Sequence, residues 1–128
     1  MPSILVVDDD AAYTAALREL FDSVGLEAVV ANDGREGLRL LRDGLQPTVI
    51  VLDLDMPSLS GVSFRFGQLG EARVADIPVI VCSGISQGAD TARLLGAAEF
   101  LRKPIHAAQL IRIVRRLIGE RHGSSPAG

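Results

Sequence analysis

Five short apolar runs punctuate the chain, and longer stretches of helical spacing separate them. The runs are Ile4-Leu5-Val6-Val7, Ala28-Val29-Val30-Ala31, Val49-Ile50-Val51-Leu52, Pro78-Val79-Ile80-Val81-Cys82 and Glu99-Phe100-Leu101. The first, third and fourth are continuous and rich in β-branched residues, the pattern of strands covered on both faces and hence of a parallel sheet. From Asp10 onward, Ala16, Leu17, Leu20, Phe21 and Val24 recur at three- and four-residue intervals until Gly25 supplies a stop. Leu38, Leu41 and Leu45 mark a second helix begun near Asp33, and a third follows Ser60-Gly61 with Phe64 and Leu69. Gly67 and Gly70 weaken that third helix on propensity alone. A fourth spans roughly Gln87 to Leu95, and a fifth runs from about His106 to Arg121 with Leu110, Ile111, Val114, Leu117 and Ile118 on its inner stripe. Strands alternating with helices at this spacing are βαβ units, so the pattern predicts a five-stranded, three-layer α/β/α sandwich.

The length of 128 residues fits one domain with a sizeable core. The domain is expected over residues 1–121, with 122–128, ending Gly123-Ser124-Ser125-Pro126-Ala127-Gly128, as a flexible tail or linker stub. No apolar run approaches the roughly 18–20 residues of a membrane span, and the start lacks a basic leader, so neither membrane insertion nor secretion is expected. The single cysteine, Cys82, excludes an internal disulfide and suits a reducing cytoplasm; burial as a small hydrophobe is its expected state. A net charge of −3 gives no general attraction to nucleic acid, and no cysteine–histidine cluster offers a zinc site. His106 and His122 are expected in solvent.

The polar residues change the picture. In open parallel sheets, ligands bind beyond the carboxyl ends of the strands. The first strand runs into Asp8-Asp9-Asp10, the third into Asp53-Leu54-Asp55, the fourth into Ser83-Gly84 and the fifth into Arg102-Lys103-Pro104. Lys103 is the single lysine among the chain's 13 basic residues. Its ammonium is a compact point charge on a flexible stem, suited to meeting a phosphoryl or carboxylate oxygen without the geometry a guanidinium demands. Adjacent carboxylates repel unless a cation sits among them, and a hard, all-oxygen site suits magnesium. A carboxylate held there can attack phosphorus to give an aspartyl phosphate, while a hydroxyl and an ammonium stabilise the phosphoryl oxygens. Nucleotide-binding loops of the GxxxxGK[ST] and GxGxxG types are absent, as is a GxSxG elbow.

Val6-Val7-Asp8-Asp9, Leu52-Asp53-Leu54-Asp55-Met56-Pro57 with Gly61, Val81-Cys82-Ser83-Gly84 and Phe100-Leu101-Arg102-Lys103-Pro104 together resemble the receiver domain of two-component response regulators, over about residues 3–121. The resemblance implies a flavodoxin-like (βα)5 fold with parallel strand order 2-1-3-4-5, placing Asp8, Asp9 and Asp53 at the topological switch point. It implies Asp53 as phosphoacceptor, Asp8 and Asp9 as ligands of Mg2+ (or Mn2+), and the backbone carbonyl of Asp55 as a further ligand. Ser83 becomes the hydroxyl that moves toward the phosphoryl group, Lys103 the phosphate-contacting lysine and Phe100 the aromatic switch. A cis peptide is implied before Pro104. The donor would be a sensor histidine kinase or histidine phosphotransfer protein, docking near Ala11, Ala12 and Ala15. Output would pass to a protein target on the face of the fourth helix, fifth strand and fifth helix, where Arg93, Arg112, Arg115 and Arg116 surround an exposed Ile113. Such a domain is a signalling switch rather than an enzyme and acts without direct nucleic-acid contact; a phosphorylation-dependent homodimer is compatible with it. It could also be a receiver fragment of a larger regulator or hybrid kinase.

Some residues carry plainer readings. Asp10 or Asp9 can cap the first helix. Phe100 has no hydroxyl and can only pack. Asp55 departs from the neutral residue common two positions after the acceptor; its carboxylate is expected to tighten metal binding and disfavour further anions. Gly84 is expected to leave open space beside Ser83. The competing function is a small magnesium-dependent phosphatase of haloacid-dehalogenase type, whose DxD opening Asp53-Leu54-Asp55 resembles; those enzymes put that motif on the first strand.

Overall fold

In the computed structural model, residues 2–57 and 60–123 are described, 122 and 123 as backbone only. The elements are β1 (Ser3–Val7), α1 (Ala11–Ser23), β2 (Glu27–Ala31), α2 (Gly34–Arg42), β3 (Val49–Asp53), α3 (Ser60–Leu69), β4 (Val79–Ser83), α4 (Gly88–Leu94), β5 (Glu99–Arg102) and α5 (Ala107–Gly123). The strands form one parallel sheet in the order β2-β1-β3-β4-β5. The expected α/β/α sandwich of flavodoxin-like order is thus the observed architecture.

Alternate residues of each strand face opposite sides of the sheet, and both sides are covered. Ile4, Val6, Val49, Val51, Ile80 and Cys82 pack with Leu17 and Phe21 of α1 and Leu110, Val114 and Leu117 of α5. Leu5, Val7, Ile50, Leu52, Val79 and Val81 pack with Leu41 of α2, Phe64 of α3 and Ala92 of α4. This double coverage is why the central strands carry unbroken apolar runs. Each fully buried aliphatic side chain contributes roughly 1.5–3 kcal/mol, so the three central strands anchor the molecule.

Local chemistry sets the helix ends. The Asp10 side chain accepts from Tyr13 N–H and Asp33 accepts from Glu36 N–H, capping α1 and α2. Gly25, Gly44 and Gly96, at φ of 78°, 113° and 68°, take the left-handed turns that follow α1, α2 and α4. The second helix stops at Arg42 rather than reaching Leu45, because the chain turns at Gly44. Ala16 lies exposed on α1 while Thr14 is buried, its hydroxyl satisfied by Ala11 O. The last helix continues through Gly123, two residues past the expected end; residues 124–128 of the expected tail lie outside the described residues.

The glycines that made α3 look weak are what lets it pack. A Cβ at Gly67 would stand 2.5 Å from Leu38 Cδ1, and one at Gly37 would stand 2.8 Å from Phe64 Cε1, so α2 and α3 approach closely through both. Leu69, expected to face inward, is exposed. Buried Arg65 and Gln68 instead stitch α3 to its surroundings. Arg65 donates to Leu95 O, Gly96 O and Gln68 Oε1, and Gln68 Nε2 donates to Val74 O and Ile77 O.

Two glycine-to-alanine changes should move stability in opposite directions. At Gly34 a Cβ would lie 2.2 Å from Ser60 O, a backbone atom, so Gly34→Ala should destabilise by about 1–3 kcal/mol. At Gly119, inside α5, a Cβ meets nothing within 4 Å. Gly119→Ala should therefore stabilise by about 0.5–1 kcal/mol. Urea denaturation of the two variants measures both signs.

Candidate functional site

A parallel sheet aims every carboxyl strand end at one edge, and the chemistry-bearing residues emerge there. Asp8 follows β1 directly, Asp53 closes β3, Ser83 closes β4 and Lys103 follows β5. Because β1 and β3 are paired, with Val7 opposite Leu52, Asp8 and Asp53 leave the sheet side by side. Both are buried, each 3% exposed, while Asp9 is open to solvent. One carboxylate oxygen from each of Asp8, Asp9 and Asp53 lies within 4.8 Å of the others. Asp8 Oδ1 accepts from Asp10 N–H at 3.0 Å. Asp53 Oδ1 accepts from Asp55 N–H at 2.8 Å and from the Lys103 ammonium at 2.8 Å.

This is a charge-crowded corner. Burial, with the neighbouring Asp53 charge, pushes the Asp8 carboxyl up to about 6 despite the Asp10 N–H that favours its ionised form. Burial opposes a charge on Lys103, yet its bond to Asp53 and the charges of Asp53, Asp8 and Asp55 hold it above the ordinary lysine value. Among the described residues these three acids form the one group with metal-ligand spacing. One ammonium leaves net negative charge among three carboxylates, so the oxygen-only set fits a small hard divalent cation. Lys103 Nζ also lies 5.9 Å from the Tyr13 ring centroid, where the π face adds to its hold.

Asp55 departs from expectation. Its carboxylate turns away from the acid trio and accepts from Ser83 Oγ at 2.6 Å and Gly84 N–H at 2.8 Å, with Lys103 Nζ at 3.4 Å. Burial works against its charge, but the Ser83 and Gly84 bonds and the Lys103 ammonium hold it below the usual carboxylate range. Asp55 reaches Asp53 through its main-chain N–H, while its carboxylate lies outside the acid trio that has metal-ligand spacing. Gly84 is exposed, and a Cβ there would meet Asp55 Oδ2 at 3.6 Å and Lys103 Cβ at 3.7 Å, ordinary contacts that leave room for a small side chain.

Ser83 is fully buried, and its Oγ also accepts from Ile85 N–H at 3.1 Å. Phe100 is half-buried and packs on the side of the sheet that holds Val81 and Ala92. The residue that joins them went unnoticed in the sequence. A Cβ at Gly88, the first residue of α4, would stand 2.7 Å from Ser83 Cβ and 3.1 Å from Phe100 Cε1. A glycine opening a helix is unremarkable in sequence, so nothing there marks it. The Lys103–Pro104 peptide is cis. Cys82 is buried, its thiol pushed up to about 12 chiefly by burial. His106 is exposed; the His122 side chain lies outside the described residues. Ala11, Ala12 and Ala15 are exposed on α1. Ile113, expected to be exposed, is half-buried against the core formed with α1 and α5. Of the arginines around it, Arg116 pairs with Glu99 and Glu120, and Arg93 with Asp90.

The family model described as the response regulator receiver domain matches residues 4–115. The chain belongs to that family. It is 39% identical over 126 residues to the transcriptional regulatory protein PrrA of Mycobacterium tuberculosis, covering 97% of this chain and 52% of that protein. To the transcriptional regulatory protein CpxR of Klebsiella pneumoniae it is 34% identical over 129 residues, covering 97% of this chain and 52% of that protein. The chain thus spans about half the length of these curated relatives. Among solved structures, the receiver domain of Francisella response regulator 1452 superposes with a TM-score of 0.82 at 29% identity, covering 94% of this chain and 99% of that one. The phosphatase alternative finds no support: this receiver domain carries its acidic pair after β1 and the Asp53-Leu54-Asp55 motif after β3, the reverse of a phosphatase order. Among the described residues no helix is long and apolar enough to cross a membrane.

Removing one acid from the crowded corner has a predictable sign. The raised Asp8 value means that the folded protein loses stability as pH rises through about 6. Asp8→Asn keeps an oxygen for Asp10 N–H without that loss. In chelator at about pH 7.5 it should be more stable than wild type by roughly 1 kcal/mol, allowing for solvent at this rim, with the gain gone below about pH 4. Urea melts at the two pH values read the difference; an Asn variant less stable at neutral pH contradicts it.

Proposed function

We propose that Asp53 is the acceptor of a phosphoryl group from a phosphohistidine of a sensor kinase or phosphotransfer protein, and that the domain is a switch rather than a turnover enzyme. The observation that carries this reading is the 2.8 Å contact of Lys103 Nζ with Asp53 Oδ1 inside the acid trio. An Asp53 carboxylate oxygen attacks phosphorus, the P–N bond breaks, and the imidazole leaves with a proton taken from solvent. A divalent cation, magnesium by donor type and manganese as its substitute, would be held by Asp8, Asp9, Asp53 and the backbone carbonyl of Asp55, and would neutralise charge on the phosphoryl oxygens. Lys103, already in contact with Asp53, would meet the developing charge on the phosphoryl oxygens, and buried Ser83 would offer its hydroxyl.

The transmitting step rests on packing. Gly88 lies against both Ser83 and Phe100, so movement of Ser83 would change the space at the start of α4 and beside the Phe100 ring, and α4 and β5 would respond together. The face of α4, β5 and α5 then changes its affinity for a protein target or for a second copy of the domain. Arg112 and Arg115 are exposed on that face, and exposed Ala11, Ala12 and Ala15 permit close approach of a donor's helix. A cytoplasmic setting suits both the kinase donor and the free thiol of Cys82. Since the chain spans about half of its relatives, the reading applies equally to a receiver that is part of a longer regulator.

Intact-mass measurement after incubation with acetyl phosphate and magnesium tests the proposal. Wild type should gain one phosphoryl group and then stop, while Asp53→Ala should gain none. Labelling of Asp53→Ala, or release of phosphate well beyond one equivalent from a stable phosphomonoester, would sink it.

A further inference from the structure

The Asp55 carboxylate holds a position with a chemical consequence of its own. Its two oxygens collect the hydroxyl of Ser83, the N–H of Gly84 and, at 3.4 Å, the ammonium of Lys103. These donors come from β4, from the residue after it and from the residue after β5, and they converge on one anion. The same Lys103 ammonium reaches Asp53 Oδ1 at 2.8 Å, and Asp55 N–H donates to that same oxygen. The anion-binding donors therefore lie beside the acceptor oxygen and are already engaged. We propose that Asp55 is an internal stand-in for the phosphoryl group, occupying Ser83, Gly84 and Lys103 at rest and displaced from them when Asp53 is modified. The inference rests on the reading of Asp53 as phosphoacceptor and deepens it.

Electrostatics favours displacement over sharing. A phosphoryl group on Asp53 puts nearly two negative charges and three strong acceptor oxygens at a rim where the carboxylate carried one charge. Two anions cannot both hold one hydroxyl hydrogen, and the Asp55 charge repels the incoming group at short range. The group with more charge and more oxygens takes the donors, and Asp55, about a quarter exposed, turns to water. Two effects follow. Affinity for a phosphoryl group is lowered by the competition, and the Ser83 hydroxyl is directed to an anion even in the resting protein. Asp55 acts through Ser83, Gly84 and Lys103 and is thus a positioning residue. A turn residue that merely tied the loop after β3 to the loop after β4 would act differently. Asparagine there would keep an oxygen for Gly84 N–H and behave as wild type.

Beryllofluoride, a tetrahedral anion that binds carboxylates as phosphoryl does, reads the competition directly. Wild type, Asp55→Asn, Ser83→Ala and the double variant are titrated with it by calorimetry in magnesium buffer, with amide spectra confirming that each is folded. Asp55→Asn should bind at least about fivefold more tightly than wild type, and the gain should fall below about twofold in the Ser83→Ala background, because the contested donor is gone. Equal or weaker binding by Asp55→Asn overturns the proposal. So does an undiminished gain without Ser83, which would mark a general field effect of the removed charge. If none of the four binds and wild type also takes no label from acetyl phosphate, the phosphoacceptor reading falls and this inference with it. Binding by wild type that is unchanged in Asp55→Asn sinks the inference alone.

Discussion

Repulsion among Asp8, Asp9 and Asp53 is the constraint around which the active edge is organised. The parallel pairing of β1 and β3 forces two of these acids out of the sheet together, and burial denies them the water that would screen their charges. Such a corner is tolerable because a single ammonium reaches into it and because Asp10 and Asp55 each turn a main-chain N–H toward a carboxylate. Sites held in this tension respond strongly to added charge of either sign, since each new ion changes what every neighbour prefers. The folded protein gives up some stability at neutral pH to maintain it.

The opposite side of the same edge is built from donors, and the architecture separates the two. Acids come from the ends of β1 and β3; the hydroxyl, the Gly84 amide and the ammonium come from β4 and β5. Asp55 bridges the two halves, its main chain with Asp53 and its side chain with Ser83 and Gly84. The edge therefore sorts charge along the sheet, with Asp53 at the boundary. Gly88 brings α4 against the donor half with no side chain between, so the helix start lies directly on Ser83 and Phe100.

Much of this was legible before any coordinates. Continuous β-branched runs identify buried parallel strands because no other environment covers both faces, and the positions of Asp8, Asp53, Ser83 and Lys103 follow once strand ends are known. Strand order came from resemblance to a family, since hydrophobic period says nothing about which strands are neighbours. What remained hidden is a matter of direction and fit. Nothing in Asp53-Leu54-Asp55 says that the second carboxylate turns to Ser83, because the choice depends on donors that arrive from β4 and β5. Gly67 reads as a helix breaker until Leu38 is seen lying against it. Ile113 reads as a surface residue among arginines, yet it packs half-buried against the core that α1 and α5 form with the sheet. The burial of Arg65 and Gln68 was not legible, since a long polar side chain satisfied by main-chain carbonyls leaves no trace in apolar periodicity.

Arg65 has a mechanical side. Its buried guanidinium, with no carboxylate partner among the described residues, clamps the carbonyls of Leu95 and Gly96 where α4 ends. At the other end of this helix Gln87 makes no side-chain capping bond, and Gly88 rests on Ser83 and Phe100. One end is pinned by directional bonds from a buried cation and the other is seated by close packing against Ser83 and Phe100. Packing resists sideways displacement less than a forked set of hydrogen bonds does, so the Ser83 end is the softer of the helix's two mountings.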